Sequence, residues 1–192
     1  MRCSWAENGK QSMIDFHDHE WGKPQHDDQR LFELLSLMTF QAGLQWQLIL
    51  NRRHVLKRVF NDFDVSSVAA MTEREIEEMV QVEQMIANRR KIRAVIHNAR
   101  VLDQLHEKEI LLDQIVWGLT KNQVVDHRWQ CAEQIPSQNL LSVQLARQMK
   151  NYGFTFVGPK NMYAYLETVG VINDHMISCE WRYKIKEGVT KR

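Results

Sequence analysis

Proline and glycine are scarce in this chain, three and eight in 192 residues, and neither occurs between Gly43 and Gly118. So long a stretch without a breaker argues against a turn-rich sandwich or barrel and favours helices. Cysteine is also sparse: Cys3, Cys131 and Cys179 cannot all pair, which excludes a disulfide scaffold and points to a reducing compartment with thiols free or bound to metal. No apolar run approaches the roughly eighteen residues a membrane span needs, and MRCSWAENGK lacks the apolar core of a signal peptide, so a cytoplasmic protein with no membrane partner is expected. Neither basic nor acidic residues are in marked excess, 25 against 24. At a net +1, any polyanion must be met by a local patch. With 44% hydrophobic residues, the chain is long enough to bury about two thirds of its unfolded surface without help from a metal.

What is present has helical period. Leu31, Leu34, Leu35 and Met38 mark one stripe, Leu48, Ile49, Val55, Leu56 and Val59 a second, and Ile92, Val95, Ile96, Ala99 and Leu102 a third. Thr72 followed by Glu75 is a capping-box pattern that opens a helix running through Val80. Ser137 after Pro136 introduces a run stopped by Gly153, and Gly158-Pro159 opens another that Gly170 closes. The Val124-Val125 pair is the exception, a short strand signal. An all-α fold follows. No repeat or linker marks a domain cut, so residues 1–192 read as one domain, divisible at most into two helical lobes.

Three features carry chemistry. Cys3 and His17 near one end, with His175 and Cys179 near the other, form a Cys2His2 set that would close a tetrahedral zinc site and staple the termini together, a structural cofactor with no open position. A helix capped by Asn173 or Asp174 would put His175 and Cys179 on one face. Spacing alone leaves two buried thiols and two ordinary histidines as the other reading. From Gln84 to Leu102, Arg89, Arg90, Lys91, Arg93 and Arg100 are set against no acidic residue, at a helix start where a phosphate fits; the alternative is a solvated face. Trp5, Phe16, Trp21, Phe40 and Trp46 crowd the first quarter, as core or as walls for a flat ligand.

Arg2-Cys3-Ser4-Trp5, His17-Asp18-His19-Glu20-Trp21-Gly22, Gln41-Ala42-Gly43-Leu44-Gln45-Trp46, Phe156-Val157-Gly158 and Asn173-Asp174-His175 with Cys179 together resemble the 3-methyladenine DNA glycosylase I family of the helix-hairpin-helix superfamily. The resemblance spans nearly the whole chain. It implies a helix-hairpin-helix glycosylase-like fold, with residues about 60–120 carrying the hairpin, and one zinc on Cys3, His17, His175 and Cys179. It implies monofunctional hydrolysis of the N-glycosidic bond of 3-methyladenine, or a related alkylated purine, flipped out of double-stranded DNA. No protein partner is implied. Trp5, Phe16, Trp21, Met38 and Trp46 fall at base-pocket positions. Gln41, Gly43 and Leu44 fall at the turn that probes the duplex, and Arg89, Arg90, Lys91 and Arg93 at the phosphate-holding hairpin, which here has no glycine.

The chain departs from the family at Met38, where a glutamate would accept hydrogen bonds from the damaged base, and at Phe16 and Met13, which replace tyrosines. The resulting pocket is more apolar, and a thioether accepts hydrogen bonds only weakly. With the glutamate gone, another carboxylate such as Glu33 or Asp18 would have to assist base release, and no catalytic residue is assigned. The alternative is a non-catalytic or altered-specificity reader of damaged DNA on the same scaffold.

Overall fold

The computed structural model describes residues 1–184; residues 185–192, the tail of the expected domain, lie outside them. The chain is mostly helical: α1 (Ser4–Glu7), α2 (Gln11–His19), α3 (Asp28–Gln41), α4 (Trp46–Val59), α5 (Val65–Ala69), α6 (Glu73–Met79), α7 (Arg89–His106), α8 (Leu112–Gly118), α9 (Leu140–Tyr152) and α10 (Pro159–Thr168). Among the described residues no helix is long and apolar enough to cross a membrane.

Local chemistry sets several helix starts. Asp27 caps α3 by accepting from Arg30 N, and Asn88 caps α7 by accepting from Lys91 N. The Thr72–Glu75 capping box is present at α6 in both directions. One start differs from expectation. α9 begins at Leu140, not after Ser137, because the Asn139 side chain accepts from Ser142 N and a nearer cap wins.

The stripes meet in one main core. α3 is its axis: Leu31, Phe32, Leu35, Leu37 and Phe40 are fully buried, so the helix is apolar nearly all round and neighbours cover it on every side. α7 brings Ile92, Val95, Ala99 and Leu102 against it, and Tyr165 of α10 donates its hydroxyl to Leu31 O. Along the polar edge of α3, Glu33 is buried between Arg30 and Arg53, both of which also reach Glu20. Burial alone would raise the Glu33 carboxyl, but the Arg53 and Arg30 guanidiniums outweigh it and hold the group below its ordinary range.

The strand signal is real but brief. β1 (Val125–Asp126) pairs in parallel with β2 (Ile172–Asn173), which the sequence reading missed because two residues carry no period. A second, smaller core of Cys3, Phe16, Trp21, Met176 and Cys179, flanked by Trp5, Trp46, Leu50 and Trp181, joins the two ends of the chain. Residues 22–25 cross the end of α10, where Gly22 N donates to Glu167 O and Gln25 N to Val169 O. Only glycine fits beneath them. Gly170 has φ +78°, and a Cβ there would lie 2.4 Å from the Lys23 carbonyl carbon.

Candidate functional site

Two side-chain clusters share the small core, and the first is polar. Cys3, His17, His175 and Cys179 are all buried, and their ligand atoms lie within 4.8 Å of one another. The Sγ of Cys3 is 3.6 Å from His175 Nδ1, and that of Cys179 is 3.4 Å from the same nitrogen and 3.6 Å from His17 Nε2. Bonds of about 2.3 Å to sulfur and about 2.0 Å to nitrogen in a tetrahedron require S···N edges of about 3.5 Å, so the four residues fit a metal without rearrangement.

The outer atoms of both rings are engaged. His17 Nδ1 is 2.8 Å from Asp18, itself gripped by Arg2, and His175 Nε2 is 3.2 Å from Trp21 O. Such partners fix which nitrogen faces a metal. Hydrogen bonds from Cys3 and from the two imidazoles hold the Cys179 thiol far below its ordinary range, while Cys3, keeping the shared proton, is pushed up. A divalent cation would displace that proton and hold both as thiolates.

The helix expected to present His175 and Cys179 is not there. The two sit on a turn after β2, closed by Cys179 N to Met176 O, with the Asn173 side chain accepting from His175 N. An Asx-type turn brings the pair together in place of helical periodicity. Buried Arg182 fastens the turn by donating to His175 O.

The second cluster is apolar and opens beside the first. A hollow of about 460 Å³ is lined by Trp5, Met13, Phe16, Trp21, Met38, Gln41, Trp46, Ala132, Ile135, Ala164, Glu167 and Thr168. The five residues expected at base-contacting positions, Trp5, Phe16, Trp21, Met38 and Trp46, all face this one space. Phe16 and Trp46 meet edge to face with centroids 5.1 Å apart, as do Trp5 and Trp21. The metal-type ligands buttress these walls: His175 lies 4.5 Å from the Trp21 ring and His17 5.2 Å from Trp5, centroid to centroid. Geometry thus couples the two clusters.

Gln41 ends α3 on the hollow's lining, and the chain then turns sharply. Gly43, at φ +77°, permits the turn, Leu44 N donates to Gln41 O, and the Leu44 side chain is left 38% exposed. An apolar side chain held out on a tight turn is a wedge in search of a cleft.

The basic run is less free than its composition suggests. Arg89 pairs with Glu77 and Arg93 with Glu73, both acids coming from α6, and Arg100 donates to Ala69 O and Met71 O. Arg90 is exposed, its guanidinium 5.3 Å from the centroid of the Phe156 ring. Lys91 turns inward instead of joining the ridge. It is 6% exposed, and its ammonium donates to Phe40 O and Ala42 O at 2.6 Å each, closing the C-terminal end of α3. Burial lowers its pKa. Lys91→Met is therefore expected to cost about 1–3 kcal/mol of stability by stranding two carbonyls, and to leave the salt dependence of binding to undamaged duplex unchanged. Thermal melts and salt titrations check both parts; a shallower salt slope would put Lys91 on phosphate.

The two carboxylates expected to assist, Glu33 and Asp18, do not line the hollow. Glu33 is held by Arg30 and Arg53, and Asp18 by Arg2 and His17. The carboxyl that does line it is Glu167 of α10. The sequence held one signal for it: Glu167 is the only charged residue between Lys160 and Gly170.

A mostly helical chain with a ring-walled hollow, a protruding apolar turn beside it and arginines on a neighbouring helix has the form of a base-extruding DNA glycosylase. The model of the methyladenine glycosylase family matches residues 5–183, and the chain belongs to that family. It is 35% identical to DNA-3-methyladenine glycosylase 1 of Escherichia coli (strain K12), over 93% of this chain and 95% of that one. Identity is 32% to DNA-3-methyladenine glycosylase of Haemophilus influenzae, over 93% and 96%. A crystal structure of 3-methyladenine DNA glycosylase I superposes with a TM-score of 0.90 at 33% identity, covering 94% of this chain and 98% of that one.

Proposed function

We propose that this protein is a monofunctional base-excision repair glycosylase, hydrolysing the N-glycosidic bond of 3-methyladenine or a related alkylated purine flipped out of double-stranded DNA. The observation that carries this reading is the hollow, whose Trp5, Phe16, Trp21 and Trp46 walls give a planar guest aromatic surfaces on several sides. Relatives bear the name of that activity, and a neighbour with a TM-score of 0.88 is a tyrosine-to-phenylalanine variant of 3-methyladenine DNA glycosylase I in complex with 3-methyladenine.

The chemistry asks little of the protein. Methylation at N3 makes the base cationic, so the glycosidic bond breaks to release a neutral base and leave an oxocarbenium-like sugar that water then captures. Indole faces favour the cationic base by up to about 2 kcal/mol when it is desolvated, whereas neutral adenine gains less. Leu44 enters the gap the flipped nucleotide leaves, with Gln41 and Gly43 shaping the turn. α6 and α7 serve as the hairpin facing the duplex backbone. Their connection has no glycine, and Gln84 adopts the left-handed φ of 67° that glycine favours. Arg90 meets phosphate directly, and Arg89 and Arg93 do so on exchanging Glu77 and Glu73 for DNA. Cys3, His17, His175 and Cys179 hold one structural zinc, which supplies no chemistry to the reaction and clamps the ends of the chain behind Trp5 and Trp21. The whole chain acts as one cytoplasmic domain, with DNA as its partner.

Incubation of the protein with methylated genomic DNA, followed by identification of every base set free, tests this. Release of 3-methyladenine is the expected result. Preferential binding of damaged duplex with no base released would make the protein a reader and not an enzyme; no preference for damaged duplex even at low salt would remove DNA repair altogether.

A further inference from the structure

A planar base held only by rings and thioethers would be gripped without being read, because stacking accepts any base. The hollow is nearly of that kind. Met13, Phe16, Met38, Ala132, Ile135 and Ala164 offer no strong hydrogen-bonding group, and the two conspicuous carboxylates of the neighbourhood, Glu33 and Asp18, are tied to arginines elsewhere. Among the hollow's described lining residues Gln41 adds an amide and Thr168 a hydroxyl, and Glu167 alone brings a carboxyl.

Its position is fixed from two sides. Its backbone carbonyl accepts from Gly22 N at 3.0 Å, binding the last turn of α10 to the segment that follows Trp21. Its side chain shares a face with Tyr163, one turn earlier, and both reach the fully buried carboxylate of Asp174. Asp174 is itself clamped by His127 and by Trp129, whose indole N–H donates at 2.8 Å, so the acid beneath Glu167 does not move. The part of Glu167 that remains accessible faces the hollow.

We infer that Glu167 is the specificity-determining residue of the hollow, presenting a carboxyl oxygen that accepts a hydrogen bond from the exocyclic amino group of an alkylated adenine. This rests on the proposed base-excision reading and names the group that reads the base. The polarity does not depend on the proton. Burial, and then the charge of Asp174, push the Glu167 carboxyl well above its ordinary range, and a protonated carboxyl that gives its hydrogen to Asp174 would still accept through its other oxygen. An ionised Glu167 would only accept. In both states adenine, with an amino group at position 6, is welcomed, and guanine or hypoxanthine, with a carbonyl there, sets oxygen against oxygen. Discrimination by a buried polar group left unpaired is the strongest kind a pocket can exert.

The test compares bases first and variants second. In the unaltered protein, quenching of tryptophan fluorescence by free 3-methyladenine and by free 3-methylhypoxanthine is expected to show about tenfold to a hundredfold tighter binding of the former. Equal affinity overturns the inference without any mutation. Glu167→Met is expected to lower the ratio of 3-methyladenine to 3-methylguanine released from methylated DNA by about tenfold or more, with Glu167→Gln losing less because its amide retains an acceptor. Met38→Glu, placed in the Glu167→Met protein, returns a carboxyl to the same hollow and is expected to recover part of the ratio. A Glu167→Met protein that melts normally and keeps the original ratio shows that the base is read elsewhere. Should the unaltered protein release no base and bind neither free base, the glycosylase reading falls together with this one; should it release 3-methyladenine while binding both free bases equally, only the assignment to Glu167 falls.

Discussion

Stripping the metal from the purified protein is expected to lower its melting temperature by about 8–16 °C. A tightly bound ion present at a thousand times its dissociation constant stabilises the native state by about 4 kcal/mol, and a chain of this size loses about 2–4 °C per kcal/mol. The loss falls short of complete unfolding because the core around α3 and α7 is independent of the cluster. Without the ion, two sulfurs and two imidazoles at contact distances of 3.4–3.6 Å are left buried against one another. Base release should fail with the metal, since His17 and His175 stand directly behind Trp5 and Trp21. Zinc re-addition should restore both properties, and Cys179→Ser should reproduce the loss irreversibly. Elemental analysis with calorimetry before and after chelation settles the matter: no stoichiometric metal and an unchanged melting temperature would reduce the cluster to buried side chains.

Trp46→Ala is expected to reduce kcat/KM for 3-methyladenine release by about thirtyfold or more. Trp46 opens α4 directly after the Gln41–Gln45 turn and meets Phe16 edge to face, so its indole serves both as a wall of the hollow and as a support for the opposite ring. A desolvated cation against an indole gains about 2 kcal/mol, which is about thirtyfold in rate if the cationic character is felt on the way to bond breaking. Trp46→Phe keeps an aromatic face and should lose less. Binding to undamaged duplex, which depends on phosphate contacts and leaves the hollow empty of base, should stay within about twofold for both variants. Equal losses for alanine and phenylalanine, or none for alanine, would mean that Trp46 is packing and not a binding surface.

Much of this was legible in one dimension. The helices α3, α4, α6, α7 and α10 stand where periodicity and caps placed them, since both signals act within four residues of chain. The Cys2His2 set and the aromatic residues were identifiable as residue types; folding gathers the four ligand-type residues in one place and Trp5, Phe16, Trp21 and Trp46 around the hollow, while Phe40 goes to the main core. The errors have two causes, one local and one long-range. Asn139 displaced the expected start of α9, and His175 and Cys179 converge on a turn where a helix was expected, because competing local hydrogen bonds of similar strength are not ranked by pattern. Lys91 looked like a phosphate ligand because its five-residue neighbourhood is basic, yet its ammonium donates to the carbonyls of Phe40 and Ala42, about fifty positions earlier.

Composition and period alone therefore settled the helical class, the identity of the ligand-type side chains and the ring-rich character of the first quarter, since these depend on which atoms a residue has and on the spacing of its near neighbours. Which carboxyl faces the hollow, which arginines remain unpaired with α6, and how the two ends of the chain come to share one small core were decided by tertiary structure. Each depends on contacts between groups tens to more than a hundred and fifty positions apart, whose energies are set by mutual burial and have no counterpart in the linear spacing.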